Sequence, residues 1–335
     1  MYCIHCGQEL PDNAKFCSNC GKQINVTTSF ATQEFSEPIR ETPKPEPPTQ
    51  KETPEKSLSS DSLNEDKTNL FVFEDYDPGK GTYSFGFKNE QGDIVIEPKY
   101  YEAKEFSEGL APVQIHGLWG YINTKGEEVI PLQYDDAGEF CEGLATVQKQ
   151  GLYGYIDKNN KIVVPFSFTS AQEFYNGIAI VEQNGKFGYI NSNGENIIPC
   201  KFEIATQFFE DLAGVMQNSL WGFINHKGEI VIPCKYESVE AFNEGLAAVS
   251  MNDRWGFINQ QEEIVIPFQY EEAHEFSEGV ASVMKDGKWG YVDANNEIII
   301  PFKYDYVYGY REGISPVDVD GEVLYIDKQG NYVTE

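Results

Sequence analysis

Four of the seven cysteines in this 335-residue sequence fall within the first 20 positions, in two pairs. The pairs are Cys3 with Cys6 and Cys17 with Cys20, each with two residues between its members and a glycine after it. In such a turn two thiolates can face one cation, while the glycine permits backbone N–H groups to point at the sulfur atoms. Four thiolates form a tetrahedral site that suits Zn²⁺. We therefore predict one zinc ion bound by these four cysteines, in preference to four unconnected thiols.

The predicted zinc is structural, because four thiolates leave no coordination position open for a substrate or water. A segment as short as residues 1–22 cannot bury a core, so the metal would fold it. His5 lies inside the first pair and is expected to stay outside the ligand shell. The segment resembles, over residues 2–22, the short zinc-ribbon domain found at the N-termini of many bacterial proteins.

The formal net charge of the chain is −29. An acidic surface repels phosphate backbones and anionic lipid head groups, which argues against nucleic acid and membrane surfaces as partners. The N-terminus lacks a basic stretch followed by an apolar run, and no 18 consecutive residues are apolar. A soluble, cytoplasmic protein is expected, and in that compartment paired cysteines indicate metal binding rather than disulfides.

Residues 23–69 have a different composition from the rest of the chain. Six prolines fall between Pro38 and Pro54, and Phe30 and Phe35 are the only aromatic residues. Such a stretch buries too little apolar surface to offset the entropy lost on ordering. We predict a disordered linker that joins the zinc ribbon, residues 1–22, to a folded array, residues 70–335.

The array is built on a short motif that recurs every 34 residues: an aromatic residue, a glycine and a second aromatic residue. All four tryptophans occupy its first position, and the last copy has lost the first two positions. A strict period of this length is typical of a repeat architecture. The eight copies are Phe85-Gly86-Phe87, Trp119-Gly120-Tyr121, Tyr153-Gly154-Tyr155, Phe187-Gly188-Tyr189, Trp221-Gly222-Phe223, Trp255-Gly256-Phe257, Trp289-Gly290-Tyr291 and Val323-Leu324-Tyr325.

Each unit contains three segments with strand character, joined by two short turns that are rich in Gly and Asn. These residues supply the positive φ that two-residue hairpin turns need. The Asn or Asp before the second turn, such as Asp157, suits a side-chain hydrogen bond into that turn. The motif glycine is expected to lie under a ring or backbone of a neighbouring unit. The three segments of the third copy are Leu144 to Val147, Tyr153 to Asp157 and Ile162 to Pro165.

A proline is expected to close the third strand, and the segment after it is expected to form a helical or 3₁₀ turn. Tyr134, Ala137 and Phe140 are spaced three apart, which suits one face of such a turn, and Gly143 would end it. In one copy Asp211 replaces that glycine, and the turn there is expected to be strained or loosened. The prolines are Pro131, Pro165, Pro199, Pro233, Pro267 and Pro301.

Residues 83–335 resemble the WG-repeat family of bacterial proteins, also called KWG repeats. The resemblance implies a β-rich repeat of mostly unassigned activity, with no catalytic residues. We predict an all-β fold of tandem three-stranded β-meander repeats in an open, curved array. A closed seven- or eight-bladed β-propeller is the alternative, and it is disfavoured because propeller blades usually have four strands in about 40 residues or more.

Other reactive side chains follow the repeat or scatter across it. Glutamates after the third strand form an acidic stripe, interpreted as a solvated rim rather than a site for calcium or a basic partner. The remaining histidines are interpreted as surface residues and the remaining cysteines as small buried groups. These sets are Glu105, Glu108, Glu139, Glu142, Glu244, Glu275 and Glu278; His116, His226 and His274; and Cys141, Cys200 and Cys234.

These features favour a non-catalytic interaction scaffold, because repeat arrays present extended surfaces and no unique polar cluster stands out. The expected partner is another protein, with the zinc ribbon as a tethered second binding module. The alternative is a carbohydrate or cell-envelope ligand binder, which needs the motif aromatics to be open to solvent. We expect these rings to be core instead.

Overall fold

The computed structural model describes residues 69–79 and 81–333, and every regular element within them is a β-strand. The predicted zinc ligands, and all of the predicted linker except Asn69, lie outside the described residues. The described strands form eight antiparallel sheets, six with four strands and one with three strands at each end of the array, and none of these sheets closes into a barrel. In this part of the chain there is also no helix that could cross a membrane.

The two end sheets contain β1 (Leu70–Asp77), β2 (Thr82–Asn89) and β3 (Ile94–Tyr100), and β28 (Tyr306–Val307), β29 (Ile314–Val319) and β30 (Glu322–Asp327). The second to fourth sheets contain β4 (Glu102–Ala103), β5 (Leu110–Ile115), β6 (Leu118–Asn123) and β7 (Glu128–Tyr134); β8 (Asp136–Cys141), β9 (Leu144–Lys149), β10 (Leu152–Asp157) and β11 (Ile162–Phe168); and β12 (Ser170–Ala171), β13 (Ile178–Gln183), β14 (Lys186–Asn191) and β15 (Asn196–Phe202). The fifth to seventh sheets contain β16 (Ile204–Phe209), β17 (Leu212–Gln217), β18 (Leu220–Ile224) and β19 (Ile230–Tyr236); β20 (Ser238–Val239), β21 (Leu246–Met251), β22 (Arg254–Asn259) and β23 (Ile264–Tyr270); and β24 (Glu272–Ser277), β25 (Val280–Lys285), β26 (Lys288–Val292) and β27 (Ile298–Tyr304).

The all-β fold and its tandem 34-residue repeat are confirmed, but the segment expected to form a helical turn is extended. It is a bulged strand in β8, β16 and β24, and a two-residue strand followed by an irregular stretch in β4, β12, β20 and β28. In β8, Ala137 pairs with Val147 and Phe140 with Ala145, so three steps on one strand match two on its neighbour. A β-bulge absorbs the extra residue and keeps Ala137 and Phe140 on the same buried face. Apolar residues three apart therefore fit a bulged strand as well as a helical turn, and this ambiguity explains the wrong prediction.

The proline expected to end the third strand lies inside it. Pro131 is within β7, where Tyr121 pairs with Ile130 and Trp119 with Tyr134, so two steps on β6 match four on β7. Proline has no N–H to donate, and a bulge is a place where the ladder does not need one. We call β3, β7, β11, β15, β19, β23 and β27, which share this irregularity, the bulged edge strands.

The motif glycine is required by the bulge of its own sheet, not by a neighbouring unit as expected. A Cβ on Gly120 would lie 2.5 Å from the carbonyl oxygen of Ile130. The corresponding distance is 2.4–2.6 Å at all seven motif glycines. The last sheet has three strands and no bulged edge strand among the described residues, and there Leu324 takes the place of the glycine.

The motif aromatics belong to the core, as predicted. Trp119 and Trp289 are 4% and 2% exposed, and Trp221 and Trp255 are half-buried against apolar clusters. One cluster joins Trp119 of the second sheet to Phe140 and Ile156 of the third, so the core lies where consecutive sheets meet. Each sheet is therefore stabilised by its neighbours.

All four tryptophans lie in the array, so their fluorescence reports on this core. We expect acrylamide to quench the folded protein several-fold less efficiently than free indole, because acrylamide must reach the ring to quench it. Unfolding in urea should remove the difference. Quenching of the folded protein as fast as that of free indole would contradict a buried core.

A tyrosine at the end of several bulged edge strands reaches the next repeat. The hydroxyl groups of Tyr134 and Tyr270 donate to the side-chain oxygens of Asn160 and Asn296, at 2.5 Å and 2.6 Å. Phe168 and Phe202 occupy this position where the residue 26 places on is Gly194 or Gly228. Tyr304 faces the position of Gly330, and its buried hydroxyl has no partner among the described residues.

Removing the hydroxyl should therefore have opposite consequences at two equivalent positions. Tyr134→Phe is expected to lose about 1 kcal/mol of unfolding free energy, the usual contribution of one hydrogen bond. Tyr304→Phe is expected to be neutral or stabilising, because an unsatisfied buried hydroxyl is removed. Urea denaturation of both variants tests this, and equal losses would refute the assignment.

Candidate functional site

Two of the three histidines in the array are exposed, as predicted, and one is not. His116 and His226 lie in exposed turns. His274 is half-buried: its ring stacks on Trp289 with centroids 4.6 Å apart, and its Nδ1 lies 3.0 Å from the Ser282 hydroxyl. Burial lowers the pKa of His274. Its surface assignment was wrong because the ring packs on the tryptophan of its own repeat, at the position that Lys104 holds over Trp119.

The three cysteines of the array are free thiols and half-buried. Burial raises the pKa of all three thiols, which keeps them protonated near neutral pH. The thiol of Cys141 donates to the carbonyl oxygen of Phe174 in the next repeat, at 3.0 Å. This contact makes Cys141 a structural group rather than a nucleophile.

Four of the seven glutamates in the predicted acidic stripe have a structural role and are not simply a solvated rim. In five places a glutamate carboxylate accepts a hydrogen bond from the backbone N–H of a glycine 35 residues later, at 2.8–3.1 Å for the closer oxygen. These carboxylates tie one repeat to the next at five junctions and satisfy an N–H of a tight turn. The pairs are Glu108 with Gly143, Glu142 with Gly177, Glu210 with Gly245, Glu244 with Gly279, and Glu278 with Gly313. We call them the carboxylate links.

Two carboxylate links carry a lysine as well. Lys328 approaches Glu278 to 3.1 Å, and Lys158 approaches Glu108 to 3.0 Å. The hydrogen bond from Lys328 lowers the pKa of Glu278, and the N–H of Gly313 adds to the effect. Burial opposes ionisation of Glu108, but the bonds from Lys158 and Gly143 outweigh it and lower its pKa too.

A carboxylate whose pKa is lowered in the folded state stabilises the protein above its ordinary pKa of 4.5 and loses that effect as the pH falls through the folded value. Glu278→Gln should therefore lower the melting temperature at pH 7, and the difference from the wild type should shrink below pH 4.5. Glu312→Gln is the matched control, because Glu312 has the same place in the last unit and makes no such link within the described array. Thermal melts across this pH range check the expectation, and an equal pH dependence in both variants would contradict it.

The series of links is broken at one junction. Asn176 stands where the glutamate belongs, and Asp211 stands where the glycine belongs. Asp211 adopts the positive φ of the glycine, +69°, and makes no hydrogen bond with Asn176 in the described structure. The expected strain in this turn is confirmed, because a residue with a side chain now has the left-handed backbone conformation that favours glycine.

A cleft of about 320 Å³ lies at this broken junction. Its walls include Tyr175, Asn176, Ile178, Gln207, Phe208 and Asp211, together with Glu210 and His226. Phe208 is half-buried here, as is Phe106 in the second sheet, whereas Phe140, Phe174, Phe242 and Phe276 at the same place in other repeats are buried. From the third sheet onward, the missing link and the half-buried phenylalanine therefore coincide.

The side chains of the cleft form a defined arrangement. The ring of His226 stacks on Phe208, with centroids 4.2 Å apart and an interplanar angle of 19°. Its Nε2 lies 3.3 Å from Oδ1 of Asp211, whose side chain is 93% exposed. Tyr175 is exposed, and its ring centroid lies 6.3 Å from that of Phe209. The cleft thus combines aromatic surface with an accessible carboxylate.

In the sequence, Asp211 and His226 stand out for unrelated reasons, and nothing there brings them together. The signal that finds the cleft is a pair of substitutions 35 residues apart, Asn176 and Asp211, and that distance has meaning only once the carboxylate links are known. Across the described part of the chain no group of three or more His, Cys, Asp or Glu side chains could hold a metal ion.

Comparison with protein families gives matches to both parts of the chain. A model of the WG containing repeat matches seven times in succession, at residues 85–119, 119–153, 153–187, 187–221, 221–255, 255–289 and 289–322. The chain belongs to the WG-repeat family. A zinc-ribbon model matches residues 2–24 of this WG-repeat protein, which makes zinc binding by this segment plausible.

Comparison with solved structures gives matches at low sequence identity. A crystal structure of the eukaryotic initiation factor is 12% identical, with 78% of this chain and 86% of that chain covered and a TM-score of 0.51. Two structures of Hsv2 from Kluyveromyces lactis are 9% and 8% identical, covering 68% and 70% of this chain and 92% and 86% of theirs, with TM-scores of 0.38 and 0.36. Comparison with curated protein sequences finds no match.

Proposed function

We propose that this WG-repeat protein is a non-catalytic scaffold whose array binds a protein with a basic and apolar surface. The observation that carries the proposal is a set of exposed aliphatic residues at the start of every bulged edge strand, 37–58% exposed. We call them the edge aliphatics: Ile94, Val95, Val129, Ile162, Ile197, Ile230, Val231, Ile264, Val265, Ile298 and Ile299. Apolar residues that stay exposed in every repeat are unusual for a surface without a partner.

An exposed carboxylate residue precedes most of these strands. Asp93 and Glu263 are examples, and each accepts a hydrogen bond from the side-chain amide of an asparagine four residues earlier. The edge aliphatics are therefore accompanied by negative charge in a chain whose net charge is −29. A partner that offers lysine or arginine beside apolar side chains complements both features.

Addition of a partner strand to these edges is a less suitable mode of binding. Each bulged edge strand carries a proline and a bulge in its middle, and both features interrupt the row of backbone groups that a new strand would need. Side-chain contacts with the edge aliphatics remain, and their recurrence in seven sheets offers many weak contacts along one partner.

The carbohydrate alternative has less support, because the motif aromatics that it needs are buried or half-buried in the first seven copies; only Tyr325 of the last copy is exposed. The matched families, a WG repeat and a zinc ribbon, fit a binding scaffold without catalysis. The zinc ribbon would act as a second binding module.

Affinity capture with the full chain tests the proposal. Ile264→Glu with Ile298→Glu should reduce recovery of the partner about tenfold, because apolar contacts are replaced by charges. Leu152→Glu with Leu220→Glu is the matched control, since both leucines are 37% exposed and lie outside the bulged edge strands. Equal recovery with both double variants would contradict the proposal. Retention of all three proteins on insoluble polysaccharide, without a protein partner, would favour the carbohydrate alternative.

A further inference from the structure

We propose that the cleft at the broken junction receives an arginine side chain of the partner. This inference rests on the proposed function, because it assigns one specific contact to the basic protein expected there. A carboxylate link spans the equivalent junction in five other places, so the same fold can be compared with and without the link.

The residues that line the cleft favour a cationic ligand. Asp211 and Glu210 contribute carboxylates, Asn176 and Gln207 contribute amides, and no lysine or arginine lines the cleft. Glu210 already accepts the N–H of Gly245, so Asp211 is the carboxylate that is available for a new partner. Two carboxylates repel phosphate and carboxylate ligands, and a metal ion lacks a group of three side chains to hold it in this part of the described chain.

The contact between His226 and Asp211 shows which shape fits. The imidazole presents one face to Phe208 and its Nε2 edge to Oδ1 of Asp211. Oδ2 of Asp211 accepts no hydrogen bond from the described residues and is free to accept a second planar donor. A guanidinium offers in-plane N–H groups for a carboxylate and a flat face for an aromatic ring such as Tyr175, whereas an ammonium offers neither a plane nor a fork.

The exposure of the cleft residues and the negative charge of the chain also favour an arginine side chain. The side chain of Asp211 is 93% exposed and Tyr175 is 50% exposed, so both can be reached from outside. A volume of about 320 Å³ has room for one long side chain, and the apolar stem of arginine can lie along Ile178. The negative charge of the array attracts a basic partner towards the cleft.

The test follows the δ1-methyl resonance of Ile178 by NMR in the full chain while N-acetyl-arginine methylamide is added. We expect a saturable shift at Ile178 and none at Ile264. Asp211→Asn should weaken binding about tenfold, as expected for loss of a charge-assisted contact. Asp286→Asn is the matched control, because Asp286 is an exposed acid that also has a positive φ, +52°. The uncharged citrulline analogue and the lysine analogue should shift Ile178 less than the arginine compound.

A second variant closes the cleft by restoring the repeat pattern. Asn176→Glu with Asp211→Gly recreates the residues of a carboxylate link, and it should raise the melting temperature while abolishing the shift at Ile178. No saturable shift in the wild type, an equal shift with citrulline, or unchanged binding by Asp211→Asn would overturn the inference. A shift caused by N-acetylglucosamine instead of the arginine compound would also overturn it. Because the capture experiment depends on Ile264 and Ile298, failure of the cleft inference is distinguishable from failure of the proposed scaffold.

Discussion

Gly222→Ala is expected to unfold the sheet that contains it, with a loss of more than about 3 kcal/mol of unfolding free energy. The added Cβ would lie 2.4 Å from the carbonyl oxygen of Ile232 and 2.7 Å from the backbone nitrogen of Cys234. Both atoms belong to the bulge of β19, and backbone atoms of a paired strand cannot move aside without loss of strand pairing. Most overpacked sites relax by rotation of a side chain, but the clashing atoms here belong to the backbone and cannot rotate away.

Gly309→Ala is the matched control for this substitution. Like Gly222, Gly309 has no left-handed φ, but a Cβ there would meet no atom within 4 Å. The two variants therefore differ in the clash and not in backbone freedom. Urea denaturation followed by tryptophan fluorescence should show a large shift of the midpoint for Gly222→Ala and little change for Gly309→Ala. Similar midpoints for the two variants would show that the bulge tolerates a side chain, contrary to the geometry.

Local signals in the sequence were sufficient for much of the fold. The turn residues predicted the hairpins, and the Asn or Asp before the second turn makes the expected bond: Oδ1 of Asn123 accepts the N–H groups of Lys125 and Glu127, each at 3.0 Å. These interactions join residues four or fewer positions apart. They depend on little beyond the identity of the residues involved, and so a sequence can show them.

Features that depend on pairing between strands were predicted less well. The position of Pro131 and the spacing of Ala137 and Phe140 both reflect bulges, and a bulge is a relation between two strands rather than a property of one. A strand with one extra residue has the apolar spacing of a helical turn. The pattern alone therefore could not distinguish the two structures, although the four-stranded sheet buries the same side chains.

The carboxylate links show the same limit at longer range. Glu278 looks like a surface acid in the sequence, and its role becomes visible only when the N–H of Gly313 in the next repeat lies beside it. The cleft is harder to predict, because it is marked by Asn176 and Asp211. These two residues replace the glutamate and glycine of a carboxylate link that the sequence alone does not show. Asparagine at an exposed turn is ordinary in isolation.

Zinc is expected at one ion per chain in protein purified under reducing conditions, held by Cys3, Cys6, Cys17 and Cys20. Cys17→Ser should remove it, because three thiolates and a hydroxyl hold zinc far more weakly than four thiolates. Metal analysis of the purified variants measures the change. Protein that carries no zinc although all four cysteines are reduced would contradict the prediction.

Cys141→Ser is the matched control, because Cys141 is a free thiol in the array that donates to Phe174 and has no predicted role in metal binding. It should retain one zinc per chain. Conversely, Cys17→Ser should leave the thermal transition of the array nearly unchanged, since the predicted linker of residues 23–69 transmits no packing between the two folded parts. A large shift of that transition on loss of zinc would mean that the ribbon and the array fold together. In the proposed function, this expected independence would let the zinc ribbon serve as a second binding module. A tethered module that folds around its own metal could search for a partner while the array holds another.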